Sequence, residues 1–169
     1  MEVETKSCTR EKFVEEWADV AVAWGMSKKM ATIHSYLLTA DTPVPAEELQ
    51  DSLSISRGCI STNLTQLIDA GFVKKEYQKD RRKEYYVANK NTFEMLQCAI
   101  AYRRKKELTP FLEMLEKFCP TKMNGEISAE TINMICEIKH YAVKSDRFLS
   151  NLENKSESVF VRSFLKMIK

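Results

Sequence analysis

Glycine is scarce in this chain, with four among 169 residues. That leaves little material for the loops that cradle nucleotide phosphates, and neither a GxGxxG nor a Walker-type loop is present. There is no nucleophile elbow and no carboxylate–histidine cluster. The two histidines, His34 and His140, lie far apart without ligand-like neighbours. Cys8, Cys59, Cys98, Cys119 and Cys136 are odd in number, scattered, and never form a CxxC pair. Such a set makes a poor zinc site and a poor disulfide framework, and it fits a reducing cytoplasm. No apolar run approaches the roughly 18 residues of a membrane span. The acidic start, Met-Glu-Val-Glu-Thr-Lys, lacks the apolar core of a secretory signal. Catalytic, metal-binding, cofactor-dependent and membrane roles are therefore not expected. A composition of 44% apolar and 30% charged residues is that of an ordinary globular protein of one or two small domains.

Positive charge is concentrated rather than abundant. The formal net charge is only +2, yet residues 1–53 carry five basic and ten acidic side chains while residues 54–90 carry eight and four. A focused basic patch suits specific docking on a polyanion better than indiscriminate binding. The plainer reading of any such run, Lys74-Lys75 included, is a solvated face.

The stretch from Ser54 to Ala88 organises the rest. Ile60, Leu64, Leu67 and Ile68 fall at i, i+4, i+7 and i+8, so a helix over 56–70 buries them on one stripe. Ser56 stands at its N-cap and Gly71 at its close. Its other face carries Ser61, Thr62, Thr65 and Gln66, with Asn63 at the flank and Arg57 at the N-terminal end. No acidic residue follows until Asp69, so this face can enter a DNA major groove without repulsion. Two short strands come next, with Val73 and Tyr77 alternating in one and Tyr85 and Val87 in the other. The wing between them, 78–84, presents Lys79, Arg81, Arg82 and Lys83 to the phosphate backbone or the minor groove.

Upstream, Glu11 to Trp24 reads as a helix with Phe13, Trp17, Ala18, Ala21 and Trp24 on one face. Ser27 caps a second helix through Ala40 whose core positions are Met30, Ile33, Tyr36 and Leu37. Pro43 and Pro45 mark a turn or short edge strand, and Ala46 to Leu53 forms a short helix. That order is the order of a winged helix-turn-helix. The expected fold is mainly α with a small β-hairpin wing: an N-terminal dimerisation helix at 1–27, the winged head at 28–90 and a helical region at 91–169.

In the last region Thr92 to Leu108 is expected to be helical, with Phe93, Leu96 and Ile100 on one stripe. Its Arg103-Arg-Lys-Lys106 block suits either the helix dipole or a flanking phosphate. Thr109-Pro110 is expected to restart or kink the helix, and Cys119-Pro120 to end it. A loop then crosses Asn124-Gly125. Ser128 caps a long helix to about Asn154, with Ile135, Ile138, Ala142, Leu149 and Leu152 as a seam. A last helix opens at Ser156. These apolar faces exceed what the head can cover, so a homodimer is expected, with a compact monomeric bundle as the alternative.

The run Ile55-Ser-Arg-Gly-Cys-Ile-Ser-Thr-Asn-Leu64 resembles the signature of the GbsR-type branch of the MarR superfamily of winged helix-turn-helix regulators. Arg82-Lys-Glu-Tyr-Tyr86 is similar to the string after that branch's wing, and Gly25 and Pro43-Val-Pro-Ala-Glu-Glu-Leu49 also fit. The similarity spans about residues 24–115. Ser35 stands where the branch commonly has glycine, and Thr65 where it commonly has arginine. The resemblance implies a homodimeric transcriptional regulator of double-stranded DNA with a pseudo-palindromic operator. It also implies a small-molecule effector of the quaternary ammonium class, for which Trp17, Trp24, Tyr36 and Tyr102 would offer aromatic faces. Those rings have plain core packing as their alternative role, and Cys59 has an inert buried thiol as the alternative to a redox switch. The rival function is a winged helix that docks protein, with the basic hairpin incidental.

Overall fold

The structure, a computed structural model, describes residues 2–77, 83–118 and 128–154. The chain falls into two compact units, residues 1–98 and 99–169. The first helix belongs to the same unit as the winged head.

In the first unit, α1 (Glu2–Ala23) begins earlier than its apolar pattern suggests. It packs on α2 (Lys28–Thr39). Ala18, Ala21 and Ala31 meet there, with Met26 folded against them. Small side chains at the contact let the two backbones approach closely. Gly25, with φ of +94°, turns the chain between the helices. Its N–H donates to Val22 O and that of Met26 to Ala21 O, a Schellman closure. Ser27 caps α2 by accepting from the Met30 N–H at 3.2 Å.

Strand β1 (Val44–Pro45) and helix α3 (Ala46–Leu53) lead to α4 (Arg57–Asp69). Ile60, Leu64 and Leu67 of α4 are fully buried with Met30, Ile33, Leu37 and Leu49, as the heptad-like spacing implied. Ser56 occupies the N-cap with extended backbone, but its side chain makes no cap hydrogen bond. Gly71 repeats the Schellman closure at the other end, Gly71 N–H to Ile68 O and Phe72 N–H to Leu67 O. Its φ of +79° disfavours any other residue, and a Cβ would sit 2.9 Å from Cys98 Sγ.

Strands β2 (Val73–Tyr77) and β3 (Glu84–Ala88) pair antiparallel, and β1 joins the far side of β3, giving the order β1-β3-β2. The register places Val73 opposite Ala88, Lys75 opposite Tyr86, and Tyr86 opposite Val44. The buried members of β3 are therefore Tyr86 and Ala88, not Tyr85 and Val87, which are half-buried. The correction follows from pairing: a strand's faces alternate, and one neighbour's buried residue determines which face is inside. Beyond Val73, β2 is exposed along its length, and Tyr77 is 69% exposed.

Helix α5 (Thr92–Arg103) starts on an Asn91 cap whose Oδ1 accepts from the N–H groups of Phe93 and Glu94. It does not run as α-helix to Leu108. Arg104–Leu108 is π-helical and passes directly into α6 (Thr109–Lys117). Thr109 has helical angles and its N–H donates to Arg104 O, so the chain does not restart at Thr109-Pro110. Proline lacks an N–H and its ring crowds the carbonyl four residues back; one widened turn upstream accommodates both defects.

Helix α7 (Ala129–Asn154) opens on Ser128, whose Oγ accepts from the Thr131 N–H. It packs on α6 and the π segment. Ala142 is buried and Ile135, Leu149 and Leu152 are half-buried, whereas Ile138 is exposed. The expected loop at 121–126, the stop at Cys119-Pro120 and the helix from Ser156 lie outside the described residues.

Candidate nucleic-acid interface

The outer face of α4 is built by exclusion. Its inner stripe is held in the core, so the side chains between those positions are forced outward. Arg57, Ser61, Thr62, Thr65 and Gln66 are all exposed, as is Ser56 just before the helix. Gly58 belongs to the same face, and a Cβ there would meet no atom within 4 Å. Glycine in a helix costs about 0.5–1 kcal/mol relative to alanine, and nothing among the described residues requires it at this position. What it leaves is open backbone near the helix N-terminus, where N–H groups and the positive end of the dipole favour an approaching anion.

Asn63 leaves this set. It is only 8% exposed. Its Nδ2 donates to Cys59 O at 2.8 Å and to Cys59 Sγ at 3.3 Å, while its Oδ1 accepts from Ser27 Oγ at 3.3 Å. Asn63 therefore ties α4 to the cap of α2 and holds the helix in place from behind. A polar residue one step off the stripe looks exposed in sequence and becomes buried only because α2 lies against that flank.

The two threonines differ from Ser61 in how their hydroxyls are used. Thr62 Oγ1 donates to Gly58 O and Thr65 Oγ1 to Ser61 O, each at 3.0 Å. Cys59 is half-buried against Asn63.

The ribbon beside α4 carries its own ionic row. Lys75 Nζ donates to Glu84 Oε1 at 2.9 Å, and Tyr86 Oη donates to Glu84 Oε2 at 2.8 Å. The hydrogen bond from Lys75 lowers the Glu84 carboxyl, and the same bond raises the Lys75 ammonium. Burial, and then its bond to Glu84, push the Tyr86 hydroxyl well above its ordinary value. Lys75 is thus occupied on the sheet, while Lys83, next to the hairpin tip, is exposed. Lys79, Arg81 and Arg82 lie outside the described residues. Tyr77, exposed where β2 outruns the core, is a candidate contact that the sequence reading did not name. Its position at the end of the strand, just before Gln78-Lys79, was the available signal.

Three of the four aromatic residues expected to hold a cation, Trp17, Trp24 and Tyr36, lie in the first unit. Trp17 stacks on Phe13 at 5.6 Å, and Trp24 is 52% exposed. Tyr36 carries the Arg10 guanidinium 4.6 Å over its ring and donates from Oη toward Glu48 or Ser52. It lines a groove with Arg10, Val14, Lys28 and Leu53, and neither tryptophan lines that groove. In the second unit, Tyr102 lies under Lys106 Nζ at 5.3 Å. A cleft of about 640 Å³ there is lined by Ile100, Leu108, Phe111 and Leu149 and by the Arg103–Glu107 pair. Among the described residues Phe111 is its one aromatic lining residue.

The Arg103–Lys106 block is also divided by structure. Arg104 forms a two-pronged pair with Glu153, at 2.6 and 3.0 Å, and reaches Asp146 at 2.9 Å. Those bonds raise its guanidinium further above its ordinary range. Arg104 therefore joins the π segment to α7 and is not available to a phosphate. Among the described residues, no group of His, Cys, Asp and Glu could hold a metal ion, and no helix is long and apolar enough to cross a membrane.

The described architecture, mainly helical with a three-stranded antiparallel sheet, is that of a winged helix. The crystal structure of a transcriptional regulator matches it with a TM-score of 0.64 at 19% identity, over 85% of this chain and 94% of that one. At that identity the match shows the fold. A MarR family transcription regulator aligns over 90% of this chain and 89% of its own at 17% identity, with a TM-score of 0.39, too low to carry an argument. No protein-family model and no curated protein matches the chain.

Proposed function

We propose that this chain is a sequence-specific, double-stranded DNA-binding transcriptional regulator of the MarR superfamily, GbsR-type branch, acting in the cytoplasm as a homodimer. Helix α4 enters the major groove, and the wing at 78–84 lies on the backbone or in the minor groove. The observation that carries this reading is the outer face of α4. Arg57, open Gly58, Ser61, Thr62, Thr65 and Gln66 are exposed together, short, polar and free of carboxylates until Asp69. A protein-docking surface would instead present apolar anchors at its centre.

Dimerisation draws its support from two largely exposed stripes. Along α1 and into the turn after it, Phe13, Trp17, Val20 and Trp24 recur at steps of four and three, on the flank next to the alanines packed on α2. On α7, Met134, Ile138, Tyr141, Ser145 and Phe148 do the same beside the buried Ala142 row. Steps of four and three are the spacing of helix-to-helix packing. Two heads related by a twofold axis would engage half-sites about 10 base pairs apart.

The test separates reading from grip. Arg57→Ala should narrow the difference in affinity between cognate and scrambled duplexes, since a bidentate arginine–base contact discriminates by about 1–3 kcal/mol. Arg81→Ala with Arg82→Ala should weaken binding to both duplexes and make the salt slope shallower by roughly one to two units. A double variant with unchanged affinity and slope on every duplex would leave protein docking as the better account.

A further inference from the structure

The hydroxyls of Thr62 and Thr65 are committed in one direction. Each Oγ1 lies 3.0 Å from a carbonyl of its own helix, Gly58 O and Ser61 O. A carbonyl only accepts, so each hydroxyl proton is donated back to the backbone. What each threonine has left for a ligand is acceptor lone pairs and a methyl group, with no free donor. Gln66, exposed one position on, adds an amide that both donates and accepts. Between Arg57 and Asp69 there is no lysine or arginine.

The four base-pair edges in the major groove respond differently to that set. Guanine presents two acceptors, N7 and O6, which are matched by arginine or lysine and would face the lone pairs of Thr62 and Thr65. An A·T pair presents the N6 amino donor of adenine and the C5 methyl of thymine, which suit an acceptor and a methyl group. The N6 and N7 of adenine also match a glutamine amide as a bidentate pair. Cytosine can donate from N4, but its pair carries the guanine acceptors beside it and no methyl.

We propose that Thr62, Thr65 and Gln66 make α4 selective for A·T pairs along its body, with guanine accepted only beside Arg57 at its N-terminal end. This rests on α4 being the element that reads DNA, as argued above. It adds the chemical identity of the half-site.

The full chain is used to select duplexes from a random pool at fixed salt, as wild type and as Thr62→Val and Thr65→Val. Valine keeps the branching and a methyl group and removes the lone pairs. Affinities are then measured for the selected duplex and for versions in which single adenines are replaced by purine, which lacks the N6 amino group. Wild type should enrich A·T at two or more neighbouring positions of each half-site. Purine replacement should weaken it by roughly three- to tenfold at each contacted adenine, the range of one net hydrogen bond. The matching valine variant should be insensitive to that replacement. A wild-type midpoint in urea unfolding shows that each variant remains folded. Enrichment of G·C at those positions, or equal sensitivity to purine in wild type and variants, overturns the inference. Salt-dependent duplex binding without sequence selection also overturns it and leaves DNA binding intact. Absence of duplex binding at every salt concentration removes the reading beneath it.

Discussion

The two units of this chain bury their apolar side chains to different degrees. In the first, Met30, Ile33, Leu37, Leu49, Ile60, Leu64, Leu67 and Phe72 are all at 2% exposure or less. In the second, Leu115 and Ala142 are the buried apolar residues among those described, while Phe111, Met114, Phe118, Met134, Ile138, Tyr141 and Phe148 are exposed. Three kinds of element, helix, strand and turn, close around one interior in the head. Long helices laid side by side bury only the stripe they share, and each keeps a second stripe open. Burial is therefore concentrated in the head, while the helices of the second unit keep apolar side chains exposed.

The largest test of that contrast is a cavity in the head. Leu67→Ala should cost about 3–5 kcal/mol, because a fully buried leucine leaves a void that its neighbours fill only in part. Urea unfolding would show the loss, and a midpoint within experimental error of wild type would mean that the head does not depend on this core.

The head also buries a titratable group with nothing to hold its proton. His34 is 2% exposed, neither ring nitrogen has a hydrogen-bond partner among the described residues, and its ring packs on Phe72 at 5.1 Å. Burial lowers its pKa from 6.5 to about 4. The unfolded chain then takes up a proton near pH 6.5 that the folded chain refuses until about pH 4. Stability is complete above 6.5 and falls between those values, by about 1 kcal/mol at pH 5.5 and about 3 kcal/mol by pH 4. Unfolding measured across that range should lose this slope in His34→Leu, and a slope shared by wild type and variant would refute the assignment.

The smallest effect sharpens the other side of the comparison. Ile138→Asp, on the open stripe of α7, should leave the urea midpoint of the head unchanged and weaken self-association by roughly tenfold, about 1.4 kcal/mol. Sedimentation over a dilution series would show it. An association constant equal to that of wild type would place the second chain elsewhere.

Local sequence determined much of this molecule because local physics determines helices. The spacing of Ile60, Leu64 and Leu67, the closure at Gly71, the cap at Ser27 and the short polar face of α4 all depend on neighbours within a turn or two. They were legible without any tertiary contact.

What only the tertiary structure decided are the matters settled by residues distant in sequence. Asn63 reads as an outward residue until α2, thirty-six positions away, brings Ser27 to its amide. The inward face of β3 was assigned by its pairing with Val44 and Val73, not by its own alternation. Arg104 looks like one more cation in a basic run, and becomes the centre of an ionic cluster because α7 returns to place Asp146 and Glu153 on it. The π segment before Pro110 belongs with these. A proline within a helical pattern signals a break, but a widened turn upstream, with α7 packed against it, lets the helix run on instead. Periodicity fixes which residues share a face, but whether that face meets solvent, a neighbouring element or a charge depends on segments that folding brings from far along the chain.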